Sequence, residues 1–337
     1  MTNKLDSDDE LLNEEETNAL IYAFAAAPGF QIGRAGRAFA SHKGGLKRTE
    51  DGGQSWQDAL ADFALSEQLP VTSLVISPVF DHDGLVFAGA PGGILRSSLG
   101  GKSWKAVLFP PPSPLVSALA ISPNFASDET VFAGTMEDGV FISKDAGEKW
   151  ASWNFGLLDL NVLALAISPN YIFDETLFAG TETGLFRSTN GGRAWREVEL
   201  PFGFDAVISL AISPNYTEDH CIYIGSEDLG LWESADEGEH WIQLAKNQLS
   251  DPVNAILVSR NELLAVNAVG LWHSADGGTS WINCLPKEYT GFEISAVLAP
   301  QGIGFGATLL AGFTNGSIKP VMIAGKKVYR QTIKKRD

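Results

Sequence analysis

Four aspartates each stand five residues after a turn proline: Asp83 after Pro78, Asp128 after Pro123, Asp174 after Pro169 and Asp219 after Pro214. Carboxylates could ligate a metal there or cap a loop. They recur at intervals of 45, 46 and 45 residues, so they belong to separate repeat units and each is expected to cap its own loop. His42, His82, His220, His240 and His273 show no spacing that would bring two onto one metal. His220 beside Cys221 has the composition of a base and its nucleophile, but neighbours in a strand point to opposite faces. Glycoside hydrolysis needs two carboxylates in one cleft with different environments, and no such pair is apparent. No catalytic residue, metal or cofactor is expected.

The elements that position these residues are set by a second motif. Six times the chain spells a variant of Ser/Thr-x-Asp-x-Gly-x-x-Trp: TEDGGQSW, SSLGGKSW, SKDAGEKW, STNGGRAW, SADEGEHW and SADGGTSW. The closing tryptophans are Trp56, Trp104, Trp150, Trp195, Trp241 and Trp281, spaced by 48, 46, 45, 46 and 40 residues, the period of a four-stranded propeller blade. Upstream of each box two apolar runs flank a turn, as in VSALAISPNFASDETVFAGT. A glycine then opens a third strand such as GVFISK, and the box tryptophan leads into a fourth. No stretch has ten residues of helical periodicity. Residues 18 to 60 hold a divergent first unit whose loop is two residues longer. Residues 292 to 332 hold a last one in which Pro320 interrupts the third strand, GKK replaces the box and VYRQT closes the blade. The expected fold is an all-β, seven-bladed propeller, with six blades as the fallback if the last unit is a cap.

The box has a physical logic. A Ser/Thr hydroxyl (Thr49, Ser97, Ser143, Ser188, Ser234, Ser274) and a carboxylate or amide two residues on (Asp51, Asp145, Asn190, Asp236, Asp276) accept hydrogen bonds from turn amides. Glycine (Gly53, Gly101, Gly147, Gly192, Gly238, Gly278) supplies the positive φ of a tight hairpin. The tryptophan wedges between blades while its indole N–H still needs a partner, so all six are expected to be largely buried and rotationally equivalent. Leu99 stands where the second box should have Asp, leaving that turn to Ser97 and its glycines.

Six boxes in register resemble the BNR or Asp-box repeat family, over residues 18 to 332 or so. That family includes sialidases, xyloglucan-active hydrolases, sortilin-type receptors and photosystem II assembly factors, and the resemblance implies a structural box that brings no activity with it. Sialidases of the family use an arginine trio, a Tyr/Glu nucleophile pair, an acid Asp and an Arg-Ile-Pro signature in the first blade. Here that blade reads GFQIGRAGRAF, with Arg34 and Arg37 but no Ile-Pro partner, while Arg48, Arg96 and Arg187 recur at one box position as repeat features. Xyloglucan hydrolases place their carboxylates between two propellers, and one propeller fits here. A non-enzyme is expected.

Composition narrows the partners. The 337 residues carry a net charge of −17, which disfavours nucleic acid, and no apolar run approaches a membrane span. Residues 1–17 form an acidic tail without the basic start and apolar stretch of a secretory signal, so a cytoplasmic location is expected. Residues 18–337 are expected to form one propeller ending in a basic tail with Lys326, Lys327, Arg330, Lys334, Lys335 and Arg336. The two cysteines, Cys221 and Cys284, are expected to stay reduced. In a four-stranded blade the loops to the next blade share a face with the hairpin between second and third strands, opposite the boxes. That face is rich in Phe, Trp, Tyr, Leu and Pro with an acidic fringe, and Phe109, Trp153, Phe155, Phe202 and Phe204 are the candidate contacts for a protein partner. A non-catalytic interaction module is therefore expected. The alternatives are a carbohydrate-binding or hydrolytic propeller and an assembly chaperone for a larger complex; the sequence leaves the oligomeric state open.

Overall fold

A computed structural model describes residues 20–63, 68–250 and 252–325. They form seven antiparallel sheets, each built from strands consecutive in sequence. The innermost strands are Ile21–Ala26, Ser73–Ile76, Val116–Ile121, Val162–Ile167, Val207–Ile212, Ala255–Ser259 and Ile294–Leu298. Through blade six each packs beside the next, the second strand of blade six, Glu262–Asn267, meets Ile294–Leu298, and Ile21–Ala26 packs beside Ile294–Leu298, so the ring closes as a seven-bladed β-propeller. Six blades have four strands. The seventh has three among the described residues, and the expected closing strand VYRQT lies outside them, as do both charged tails. Pro320 does not interrupt its strand: it pairs with Leu310 inside Ile318–Met322. Proline is tolerated where no ladder bond is demanded of its nitrogen, as at a sheet edge.

In blades two to five the connection between first and second strands is a four-residue helical turn, at Phe80–Asp83, Phe125–Asp128, Tyr171–Asp174 and Tyr216–Asp219. The recurrent aspartates fold these turns. Ser77 Oγ–H donates to Asp83 Oδ2 at 2.6 Å, and Asp83 Oδ1 accepts the Leu85 N–H at 2.9 Å. The same pair of bonds recurs at Ser122–Asp128, Ser168–Asp174 and Ser213–Asp219. Each carboxylate is thus used by its own loop, as its spacing implied. Hydrophobic periodicity could not have shown these turns because they are one turn long.

The first residue of each helical turn is a buried aromatic that meets a phenylalanine on the second strand of the preceding blade edge to face. The pairs are Phe39–Phe80, Phe87–Phe125, Phe132–Tyr171 and Phe178–Tyr216, with centroids 5.8 to 6.5 Å apart. Such a pair contributes ~0.5–1.5 kcal/mol beyond its buried area. It also explains the box glycine: at Gly101, with φ of 75°, an added Cβ would lie 2.3 Å from the Phe39 ring.

Arginine makes a second tie. Arg48 Nη1–H donates to the Gly101 carbonyl at 2.9 Å, Arg96 Nε–H to Ala146 at 2.7 Å, and Arg187 reaches both the carbonyl and the carboxylate of Glu237. Each arginine precedes a box serine or threonine and grips the next blade's box, so these three are repeat features, not a convergent trio. The corresponding positions Ile142, Glu233 and His273 omit the grip.

Candidate functional site

The chain path separates two faces. Box turns and first-to-second connections share one, seen in the Gly191 N–H to Glu175, Ala146 N–H to Glu129 and Glu237 N–H to His220 carbonyl bonds. Interblade loops and second-to-third hairpins share the other, seen in Met136 N–H to Leu115, Glu182 N–H to Asn161 and Glu227 N–H to Ala206. These are the box face and the loop face.

The boxes are hydrogen-bonded hairpin locks. The hydroxyls of Thr49, Ser97, Ser143, Ser188, Ser234 and Ser274 accept N–H bonds from Gly53, Gly101, Gly147, Gly192, Gly238 and Gly278 at 2.8 to 2.9 Å. Except for Ser97 they donate to the Oδ1 of Asp51, Asp145, Asn190, Asp236 and Asp276 at 2.8 to 2.9 Å. Hydrogen bonds from the Ser55 side chain and backbone and the Thr49 hydroxyl hold the Asp51 carboxyl down at about 2. The backbone and ring of His240, with Ser234, hold Asp236 at about 2 as well. In the second box Ser97 Oγ alone accepts from Leu99 and Gly101, while Leu99 is exposed.

The six tryptophans are not equivalent. Trp195 is 3% exposed, whereas Trp56, Trp104, Trp150, Trp241 and Trp281 are half-buried. Trp104 and Trp195 donate their indole N–H to the preceding blade, to the Ala59 carbonyl at 3.0 Å and the Trp153 carbonyl at 2.9 Å. Trp150, Trp241 and Trp281 donate within their own boxes to Gly147, Gly238 and Gly278. The partner depends on what the neighbouring blade offers, which no single repeat encodes.

The five aromatic candidates divide. Phe109 is 3% exposed, stacked on Phe141 at 4.4 Å and beside Trp150 at 5.5 Å, so it is core and not a contact. Trp153 is half-buried under the Lys144 ammonium, 4.9 Å from its ring, with its carbonyl taken by Trp195. Phe202 is half-buried against Trp232 at 4.9 Å. Phe155 is 80% exposed, and its carbonyl accepts the Trp195 N–H, which ties this interblade loop to the last residue of the fourth box. Phe204 is 82% exposed next to Asp205, whose carboxylate accepts the Asp228 N–H of the blade-five hairpin. The structure does not bring the five into one cluster. Sequence reasoning passed over Leu158, 78% exposed on the loop face, and Phe173, 82% exposed on the box face. The signal for Phe173 was present, because Ile172–Phe173 occupies positions that are Asp81–His82, Ala126–Ser127 and Thr217–Glu218 in the sibling turns.

His220 and Cys221 are not arranged as a base and its nucleophile. His220 is not in a strand; it caps the Tyr216–Asp219 turn at φ of 52°, and its Nδ1 lies 2.9 Å from Glu237. Burial, with Asp219 and Glu233 nearby, pushes the Cys221 thiol up to about 11, and burial does the same to Cys284. Both cysteines are free thiols. Arg34 is exposed, and Arg37 lies over the Phe80 ring with Glu50 3.8 Å away. Among the described residues no group of three or more His, Cys, Asp and Glu is arranged to hold a metal, and no helix among them is long and apolar enough to cross a membrane. A box-face cavity of about 570 Å³ lies between blades one and two under Leu99, and one of about 520 Å³ lies between blades four and five. The second gathers Glu197, Glu199 and Glu237 with Arg187 and Arg196.

Comparison with known proteins places this geometry. No protein-family model matches the chain, and no curated protein matches it. Among solved structures it is similar to the extracellular domain of BT4673 from B. thetaiotaomicron, with a TM-score of 0.66 and 17% identity over 91% of this chain and 40% of that one. It is similar to the GH74 xyloglucanase from Xanthomonas campestris, with a TM-score of 0.71 and 17% identity over 90% of this chain and 52% of that one. It is also similar to YCF48 bound to D1 peptide, with a TM-score of 0.67 and 17% identity over 92% of this chain and 95% of that one. The chain thus spans less than two thirds of the first two and nearly all of the third. At these identities the likeness is one of fold.

Proposed function

We propose that this chain is an Asp-box propeller acting as a non-catalytic interaction module, which binds a protein partner through its loop face. The observation that carries the reading is Phe204, an 82% exposed phenylalanine on an interblade loop tied by hydrogen bonds to the next blade's hairpin. A folded chain gains nothing from leaving such a ring in water, whereas a partner that covers it gains a large apolar contact without ordering the loop. The likeness to YCF48 supports the reading, since that propeller is matched over 95% of its length and was solved with a peptide bound. A scaffold and an assembly factor would both work this way. The chain is proposed to be no hydrolase: half of the xyloglucanase lies outside the match, and the cavity between blades four and five has its Glu237 already paired with Arg187.

Affinity purification with quantitative mass spectrometry tests this. A protein enriched by the full chain should be lost with Phe204→Ser and kept with the box-face variant Phe173→Ser. Loss with Phe173→Ser alone would reverse the assignment of faces. Hydrolysis of xyloglucan or sialosides that disappears with Glu199→Gln would replace the reading with an enzyme.

A further inference from the structure

We infer that the loop face over blades three to five docks an extended, positively charged polypeptide segment that carries apolar side chains; this rests on the interaction-module reading and names the partner's chemistry. The loops of this sector, residues 136–138, 153–161, 182–183, 199–206 and 227–229, contain no Lys, Arg or His. Within them Glu137, Glu182, Glu199, Glu227 and Asp228 are exposed. The fold does not ask for these carboxylates. Corresponding hairpins in the other blades read Lys43–Gly44, Pro91–Gly92, Ala268–Val269 and Thr314–Asn315–Gly316, and they turn the chain with no acid at all. The seven hairpins serve as one another's controls, and acidity is confined to three adjacent blades.

Apolar side chains stand within the same sector. Leu158 and Phe204 are 78% and 82% exposed, on the two loops that flank blade four, and Leu160 is exposed on the first of them. Hydrogen bonds fix this surface. Asn161 accepts the Glu137 N–H on Oδ1 and donates Nδ2–H to Glu182, both at 2.8 Å, so it ties the hairpins of blades three and four together. Asp159 accepts the Thr183 N–H and hydroxyl at 2.9 and 2.8 Å. Burial opposes the ionisation of Asp159, but these bonds and the Asn161 N–H outweigh it and hold its carboxyl below the usual range. Asp159 and Asp205 are therefore consumed in building the loops and Glu182 holds Asn161, while Glu137, Glu227 and Asp228 are left for a partner.

A segment with Lys or Arg beside Leu or Phe complements both features, and an acidic segment is repelled. Because the loops are already ordered, docking costs little of their entropy.

The test uses the full chain and three labelled synthetic peptides of equal length, one alternating Lys and Arg with Leu and Phe, the others with Glu or Gln in place of the cations. Fluorescence anisotropy should show the basic peptide binding, more weakly as salt rises. Neutralising the sector with Glu137→Gln, Glu227→Gln and Asp228→Asn should weaken it by about tenfold or more. Phe204→Ser with Leu158→Ser should weaken it similarly, both variants melting like the parent. A box-face control of equal charge change, Asp81→Asn, Glu218→Gln and Glu239→Gln, should leave it unchanged. Equal weakening by both neutralised variants would mean non-specific attraction to an acidic protein and would overturn the proposal, as would failure of the basic peptide to bind. A Gln peptide that binds as tightly, sensitive to Phe204→Ser but not to charge, would overturn the basic partner and leave the interaction module standing. Binding lost only in the box-face control would overturn both.

Discussion

Replacing Trp195 by Ala removes the most deeply buried box tryptophan, 3% exposed in a cluster that includes Leu157, Tyr171, Leu177 and Phe186. Truncating a buried tryptophan costs ~3–5 kcal/mol. The Trp153 carbonyl, which accepts the indole N–H at 2.9 Å, loses its partner as well and adds ~1 kcal/mol. The expected total is about 4–6 kcal/mol. With an unfolding entropy of ~2.1 cal/mol/K per residue, a chain of this length loses ~0.7 kcal/mol per degree, so the midpoint should fall by about 6–9 °C. Trp150→Ala is the matched control. Its ring is half-buried and bonds only its own Gly147, so about half that loss is expected. Trp195→Phe should recover most of the packing and show mainly the missing hydrogen bond. Urea titrations followed by far-ultraviolet circular dichroism measure all three without relying on tryptophan emission. Equal losses for Trp195→Ala and Trp150→Ala would refute the claim that reaching into the preceding blade separates the two classes of box.

Three further predictions rest on single contacts. Leu99→Asp should stabilise the protein by ~0.5–1.5 kcal/mol in the same titration, because it gives Ser97 an acceptor and the turn amides a carboxylate, as four of the other boxes have, the fourth using the Asn190 amide. Arg96→Met, which keeps the stem and deletes the bond to Ala146 and the ion pair with Glu148, should cost ~1–2 kcal/mol, while Ile142→Met, where no grip exists, should cost less than half of that. Burial, then the nearby Lys47, lowers His42 from 6.5 to about 4, against the pull of Asp58. The unfolded chain then binds the extra proton between those values, so stability is full above pH 6.5 and falls as the pH drops toward 4. His42→Gln should flatten that part of the stability profile, and an unchanged profile would exclude His42 as its source.

The blade count and the hairpin locks were legible because they depend on short-range spacing: Ser, Asp, Gly and Trp lie within eight residues, and their bonds close inside one turn. The recurrent aspartates were legible for the same reason. What joins blade to blade was not. The Phe39–Phe80 contact spans 41 positions and the Arg96 bond to Ala146 spans 50, so their partners become neighbours only when the ring closes. Phe109 was misread for a related cause: its loop runs over the surface, yet its ring turns inward onto Phe141. The opposite error hid Leu158 and Phe173, whose apolar type suggests core while their turns hold them in solvent.

On the proposed function, the loop face meets a protein partner. Site-specific photocrosslinking tests it most directly, with a benzophenone side chain placed at Phe204 or Leu158 in the full chain and, as the control of equal exposure, at Phe173 on the box face. Irradiation in the cells that make the protein should join one partner to the chain at positions 204 and 158, through a segment rich in Lys or Arg, and leave position 173 unjoined. A partner captured at 173 and absent from 204 and 158 would contradict the account.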